Sequence, residues 1–167
     1  LDDRPFFNIA GVGFDAHIAR LFNQRPRGRR GRLPYIVIGV REGCQYAGKD
    51  YSITLDGRQL HTRALLIAFA NGQEYGMGMQ IAPSARLDDG LLEACVVAYR
   101  SVLARFRDAR HLALGSVHRA PDMIIQSIRS ATLESEGEIE FHLDGEPGVV
   151  RDRLTVTIRP GALMVKV

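Results

Sequence analysis

The chain has two cysteines, Cys44 and Cys95, in 167 residues. That is too few for a disulfide framework, and their wide separation rules out a paired-cysteine metal site. They read instead as buried thiols of a reducing, cytoplasmic compartment. No apolar run approaches the roughly 20 residues that a membrane-spanning helix needs. The opening residues, Leu1-Asp2-Asp3-Arg4-Pro5, show no initiator Met and no basic-then-apolar leader, so Leu1 is read as a point inside a longer chain. The five histidines, His17, His61, His111, His118 and His142, lack metal-ligand spacing and read as surface or core polar residues. Basic residues are not interleaved with stacking aromatics, which makes nucleic acid a poor partner. No repeat and no low-complexity tract is present. The net charge of +3 permits an anionic partner without requiring one.

What is present is a succession of short patterns. Phe6-Phe7-Asn8-Ile9-Ala10 reads as a buried strand closed by Gly11 and Gly13. Helical spacing follows over residues 15–23 and again over residues 33–45, separated by the arginine- and glycine-rich stretch 24–32. That stretch is a solvated loop or a dock for anionic lipid headgroups. Tyr51, Ile53 and Leu55 alternate with polar residues before Asp56-Gly57, a strong hairpin signal. Residues 64–70 and 91–99 are continuous apolar runs of strand length. Ser101 can cap a helix running to about Leu114, whose Arg105, Arg107 and Arg110 face the same membrane or solvent. The remainder predicts strands over 123–133, 138–143, 153–159 and 163–167. Many short strands with a few helices predict an α+β, mainly β fold: an antiparallel β-sandwich with helical insertions.

Three stretches carry more than packing. In residues 70–79, Asn71-Gly72 and Gly76-Met77-Gly78 form a glycine-dense loop that either makes a bulge or lets a ligand approach the backbone. In residues 82–92, Asp88-Asp89-Gly90 is either a solvated turn with carboxylates bonding amides or an oxygen-rich site for a hard cation. In Phe141-His142-Leu143-Asp144-Gly145-Glu146, alternation puts Phe141 and Leu143 on the core side and His142 and Asp144 opposite. The Asp-Gly pair is a hairpin turn, and Asp144 and Glu146 beside it can also share general-base work.

Taken in order, these stretches resemble the second domain of the diacylglycerol kinase and sphingosine kinase superfamily, in its bacterial lipid kinase branch. The likeness runs over residues 6–167 and rests on Gly11-Val12-Gly13-Phe14-Asp15-Ala16 and Gly31-Arg32-Leu33-Pro34-Tyr35. It continues through Asn71-Gly72 to Met79, Ala82-Pro83-Ser84-Ala85 leading into Asp89-Gly90-Leu91-Leu92, and Asp144-Gly145-Glu146. The resemblance implies the second domain of a two-domain lipid kinase and NAD kinase-like fold, whose nucleotide-binding domain precedes this chain. It implies transfer of the γ-phosphate of ATP to a lipid hydroxyl, giving a phosphatidate-type product. Glu146 is the implied proton acceptor and Asp144 its helper. Asn71, Gly72, Gly76 and Gly78 are implied on the cofactor side, and Asp89 with the carbonyls of Arg86 and Leu91 at a structural Mg²⁺. The implied partners are a diacylglycerol-like lipid, ATP, a membrane surface approached peripherally from the cytoplasm, and a second copy of the chain. The family's Gly-Gly-Asp-Gly nucleotide loop is absent here, so the chain alone is expected to be inactive. His17, where the sphingosine-using branch carries an acidic residue, points to a neutral lipid. The rival reading is a non-catalytic β-sandwich that binds a lipid or nucleotide; a pure binder would have no use for the carboxylate of Glu146.

Overall fold

The computed structural model describes residues 1–24, 32–75, 78–101, 103–104, 111, 114, 116–119 and 123–164, and the main elements among these are seven antiparallel strands and two helices. The order is β1 (Ile9–Gly13), α1 (Phe14–Asn23), α2 (Arg32–Gln45), β2 (Lys49–Leu55), β3 (Arg58–Ala70), β4 (Leu92–Ala98), β5 (Met123–Ile128), β6 (Ser130–Leu143) and β7 (Glu146–Thr157). The long strands β3 and β6 organise the sheet. β2 pairs with one half of each, and β1 pairs with the other half, through Ile9↔Ala70 on β3 and Ala10↔Leu143 on β6. Outside them lie β4 and β5 on the β3 side and β7 on the β6 side. The two wings close over one core that takes side chains from all seven strands, among them Val12, Ile53, Phe69, Val96, Ile128, Phe141 and Leu154. The expected antiparallel sandwich with helices is the architecture found.

The continuous apolar runs have a structural cause. Ile67 and Phe69 of β3 face the main core, while Ala68 and Ala70 face a second cluster with Ile9, Ile81, Ala82, Ala85 and Cys95. A strand covered on both faces has no polar side to alternate with. The covering layer comes from residues 71–91, the loop between β3 and β4. On the other flank, α1 and α2 pack through Phe14, Ile18 and Ile38.

Several boundaries differ from those the sequence predicts. The strand expected over residues 6–10 begins only at Ile9, because the amides of Phe7, Asn8 and Ile9 turn to the Asp144 carboxylate instead of a ladder. The strand expected over 123–133 is two, broken at Arg129. There the Asp56 carboxylate takes the amides of Arg129 and Ser130 and turns the chain from β5 to β6. Residues 138–143 belong to the much longer β6. No strand forms at Leu163 and Met164, which are exposed. Pro160, without an N–H, and Gly161, at φ 65°, take the chain off the line of β7. Ser101 Oγ accepts the Ala104 N–H at 3.4 Å, as a helix cap does. Most of the helix predicted after it, with Arg105, Arg107 and Arg110, lies outside the described residues, as do residues 25–31 of the basic loop. Among the described residues, no helix is long and apolar enough to cross a membrane.

Candidate active site

Register alone brings Asp144 and Glu146 to the end of the sheet where Asn71 and Gly72 leave β3. β1 begins there, β3 ends there, and β6 and β7 meet there in a two-residue hairpin, Leu143↔Glu146. Asp144 and Gly145 form its turn at φ 49° and 90°. Two consecutive positive φ values define the type I′ turn, which Asp-Gly adopts at low cost and whose twist matches that of the strands. Glu146 leaves this turn exposed, as the first residue of β7. No hydrogen bond or ion pair among the described residues engages its carboxylate.

The turn itself is held from several sides. Asp144 Oδ2 accepts the Phe7 N–H at 2.7 Å, and Oδ1 accepts those of Asn8 and Ile9 at 2.9 Å each. The Asp144 N–H donates back to the Ile9 carbonyl at 2.9 Å. Asn23, at the end of α1, donates its side-chain amide to the Gly145 carbonyl at 2.7 Å. The Gly145 N–H points at His142 Nδ1, 3.2 Å away. Both oxygens of Asp144 are therefore engaged by backbone, so any help it gives Glu146 comes through the position of the turn.

Behind the turn lies a buried polar chain that the sequence reading missed. His142 is 3% exposed and Asp15 only 5%. His142 Nε2 stands 2.9 Å from Asp15 Oδ2, which also accepts the Tyr75 hydroxyl at 2.7 Å. Asp15 comes from the first turn of α1, where the helix dipole favours a carboxylate. Gly13, at φ 80°, lets β1 run into that helix without a loop. Gly11 leaves room for the pair: a Cβ there would overlap both Asp15 Oδ2 and His142 Nε2. Burial lowers the His142 pKa, but the Asp15 carboxylate and its hydrogen bond, with Asp144 beyond, raise it, and the net direction is upward. In sequence, Asp15 was visible only as part of a glycine motif and His142 only as one of several scattered histidines. Nothing local links two residues on different elements, more than a hundred positions apart.

The glycine-dense loop is joined to the same end of the sheet. The amides of Asn71 and Gly72 both donate to the Asn8 carbonyl, and Asn71 Nδ2 donates to the Phe7 carbonyl at 2.8 Å. Gly72 packs directly on the Asn8 side chain, with no space for a Cβ. Gly78, at φ 76°, is open on its side-chain face. Gly76 lies outside the described residues. Asn71 and Gly72 thus stand one residue layer from the Asp144 turn, on the far side of residues 7–9.

The acidic turn is a separate place. Asp89 Oδ1 accepts the Leu91 N–H at 2.9 Å, and Arg86 Nε donates to Asp88 Oδ1 at 3.3 Å. Asp89 is exposed, and its hydrogen bond leaves Oδ2 available. One carboxylate oxygen with the carbonyls of Arg86 and Leu91 is an all-oxygen donor set, which fits a hard cation that keeps most of its water. Among the described residues, no group of three or more His, Cys, Asp or Glu side chains gathers as a metal cage.

The fold is a seven-stranded antiparallel sandwich with an Asp-Gly-Glu hairpin at the end where β1 enters. Residues 8–167 match the family model described as the YegS C-terminal NAD kinase beta sandwich-like domain, and the chain belongs to that family. Among curated proteins it is 28% identical over 166 residues to a "Probable lipid kinase YegS-like" of Chromohalobacter salexigens, covering 98% of this chain and 52% of that protein. It is 26% identical over 172 residues to the namesake from Cronobacter sakazakii, covering 99% and 54%. The chain therefore spans about half the length of the curated relatives it matches. A solved structure from Bacillus anthracis str. Sterne that carries the name of a diacylglycerol kinase superposes with a TM-score of 0.63 at 21% identity, covering 95% of this chain and 54% of that one. That likeness speaks for the fold.

Proposed function

We propose that this chain is the acceptor-side domain of an ATP-dependent lipid kinase of the diacylglycerol kinase type, and that Glu146 is its general base. The lipid hydroxyl oxygen attacks the γ-phosphorus of ATP, a new O–P bond forms, and the bond to the ADP oxygen breaks. The hydroxyl proton passes to the Glu146 carboxylate, leaving a phosphatidate-type product. The observation that carries this reading is the contrast between Glu146 and its support: an exposed, unengaged carboxylate on a turn whose peptides are fastened to β1, α1 and His142. A base works by being where the proton is, and a fixed turn supplies that position. A loose, metaphosphate-like transfer asks little more of the acceptor side.

Asp144 supports the base by holding the turn to residues 7–9. ATP is presented mainly by a domain outside this chain, and Asn71, Gly72, Gly76 and Gly78 serve on the nucleotide side. The anchoring of Asn71 and Gly72 on Phe7 and Asn8 supports a link between the nucleotide side and the Asp144 turn. Asp89 and the carbonyls of Arg86 and Leu91 would hold Mg²⁺, which would brace the loop before β4. A lipid acceptor has to be drawn from a bilayer, so the protein works peripherally at a membrane, on the cytoplasmic side where ATP is.

In the protein that also carries the nucleotide domain, Glu146→Gln is expected to lower kcat by about 10²–10⁴ and to leave KM for the lipid unchanged. The chain alone is expected to show no ATP-dependent lipid phosphorylation. A near wild-type kcat would overturn the assignment in favour of a non-catalytic lipid- or nucleotide-binding module. For the metal, NMR shifts of residues 86–91 on titration with Mg²⁺ are expected in the wild type and absent in Asp89→Ala. Equal responses would rule this site out.

A further inference from the structure

The buried chain behind the hairpin has the layout of a positioning device. Tyr75 and His142 both direct a hydrogen at one oxygen of Asp15, at 2.7 and 2.9 Å. An imidazole that donates through Nε2 and is neutral must present a bare Nδ1. In this structure Nδ1 faces the Gly145 N–H at 3.2 Å. The consequence runs in one direction, from Tyr75 through Asp15 and His142 to the peptide between Asp144 and Gly145. We infer that the buried Tyr75–Asp15–His142 chain selects the Nε2–H tautomer of His142, and thereby sets the Asp144–Gly145 peptide of the turn that carries Glu146. These are positioning residues, since none of them touches a reacting atom. Their effect on Glu146 in catalysis rests on the kinase reading above; their effect on the turn does not.

Two features make this more than a satisfied core histidine. The first is that the arrangement demands a glycine at position 11, where a Cβ would overlap both partners of the pair. The second is that both peptides flanking Gly145 are held: Asn23 takes the Gly145 carbonyl from the α1 end while His142 takes the Gly145 N–H. Both restraints trace to the same helix, Asp15 in its first turn and Asn23 at its last residue. The charged and titratable groups that bear on His142 are Asp15 from α1, Tyr75 from the loop after β3, and Asp144 from the turn. A second proton on His142 would place an N–H against the Gly145 N–H, and the turn would lose that bond.

The test uses the whole protein, ¹⁵N-labelled at histidine and at the backbone. Above the pH at which His142 titrates, the wild type is expected to show a protonated Nε2 and a bare Nδ1. Asp15→Asn is expected to mix the tautomers, lower the pH at which His142 titrates, and speed exchange of the Gly145 amide by roughly tenfold. The Arg129 and Ser130 amides, held by Asp56 in the other Asp-Gly hairpin, are expected to keep their protection and report an intact fold. Tyr75→Phe, which removes one hydroxyl, leaves Asp15 Oδ2 to His142 and is expected to raise the pH at which His142 titrates. That variant decides the matter if Asp15→Asn does not fold. An unchanged tautomer and unchanged Gly145 exchange in Asp15→Asn, or an unmoved His142 titration in Tyr75→Phe, would overturn the inference. In the kinase assay, Asp15→Asn is expected to lower kcat by about tenfold at constant KM. If Glu146→Gln proves fully active, the kinase reading falls while the NMR result still decides the relay.

Discussion

The two Asp-Gly hairpins of this domain are nearly the same object in backbone terms. Asp56-Gly57 joins β2 to β3 at φ 45° and 84°, and Asp144-Gly145 joins β6 to β7 at φ 49° and 90°. Each aspartate reaches out of its turn to collect amides from another part of the chain: Arg129 and Ser130 in one case, Phe7, Asn8 and Ile9 in the other. The turns differ in the residue that leaves them and in the layer behind them. Arg58 leaves the first turn on the strand ladder, paired across from Leu55. Glu146 leaves the second with the turn glycine held by Asn23 at its carbonyl and by His142 at its N–H, His142 itself backed by Asp15 and Tyr75. The same local chemistry serves as a clamp in one place and as a mount for a carboxylate in the other. Turn type therefore carries no information about function; the layer behind the turn does.

The comparison can be broken most severely at the residue after each turn. Glu146→Gln is expected to cost about 10²–10⁴ in kcat of the complete kinase, and Arg58→Gln is expected to leave kcat unchanged. Steady-state kinetics on lipid in mixed micelles separates them. If both variants are fully active, the second hairpin is only another clamp.

A smaller effect is expected at the glycines. Gly11→Ala would force a methyl into the Asp15–His142 contact, and overpacking of this kind costs about 1–3 kcal/mol. Gly57→Ala meets no atom within 4 Å, so only the strain of its positive φ is at stake, about 1 kcal/mol. Urea denaturation of the two variants is expected to rank them in that order. The reverse order would mean that the polar chain yields easily and is no rigid mount.

The gentlest probe is pH. Burial alone would raise the Asp56 pKa, but the amides of Ser130 and Arg129 and the Ser130 hydroxyl pull it below the usual carboxylate range, and the net direction is down. A depressed carboxyl contributes stability above its unfolded value, about 4, and loses that contribution as pH falls through its folded value. Asp56→Asn is expected to be less stable than wild type at pH 7 and to converge with it near pH 2, which thermal melts across that window measure. His142 has the opposite sign. Its raised pKa stabilises the fold below its unfolded value, about 6.5, and that share is lost as pH rises through the folded value. The stabilities of wild type and Asp15→Asn are therefore expected to diverge as pH falls from above the folded value of His142 to about 6.5, and to run parallel below it.

Much of this molecule follows from short-range rules that a sequence carries openly. Alternation at Tyr51, Ile53 and Leu55 marked a strand with one face in the core, and all three are buried. Asp-Gly marked both hairpins because these residues accept positive φ where others resist it. The dense glycine and acidic turns, in their order, carried the family. What the sequence left open were matters of meeting. That β1 and β2 share the space between β3 and β6 was not written in either strand. Neither was the break at Arg129, which depends on a carboxylate from a turn some seventy residues earlier. The pairing of Asp15 with His142, and through it the mounting of Glu146, exists only where α1 crosses the back of β6. A buried charge is tolerable only with a partner, and which partner it finds is decided by packing, not by its neighbours in the chain.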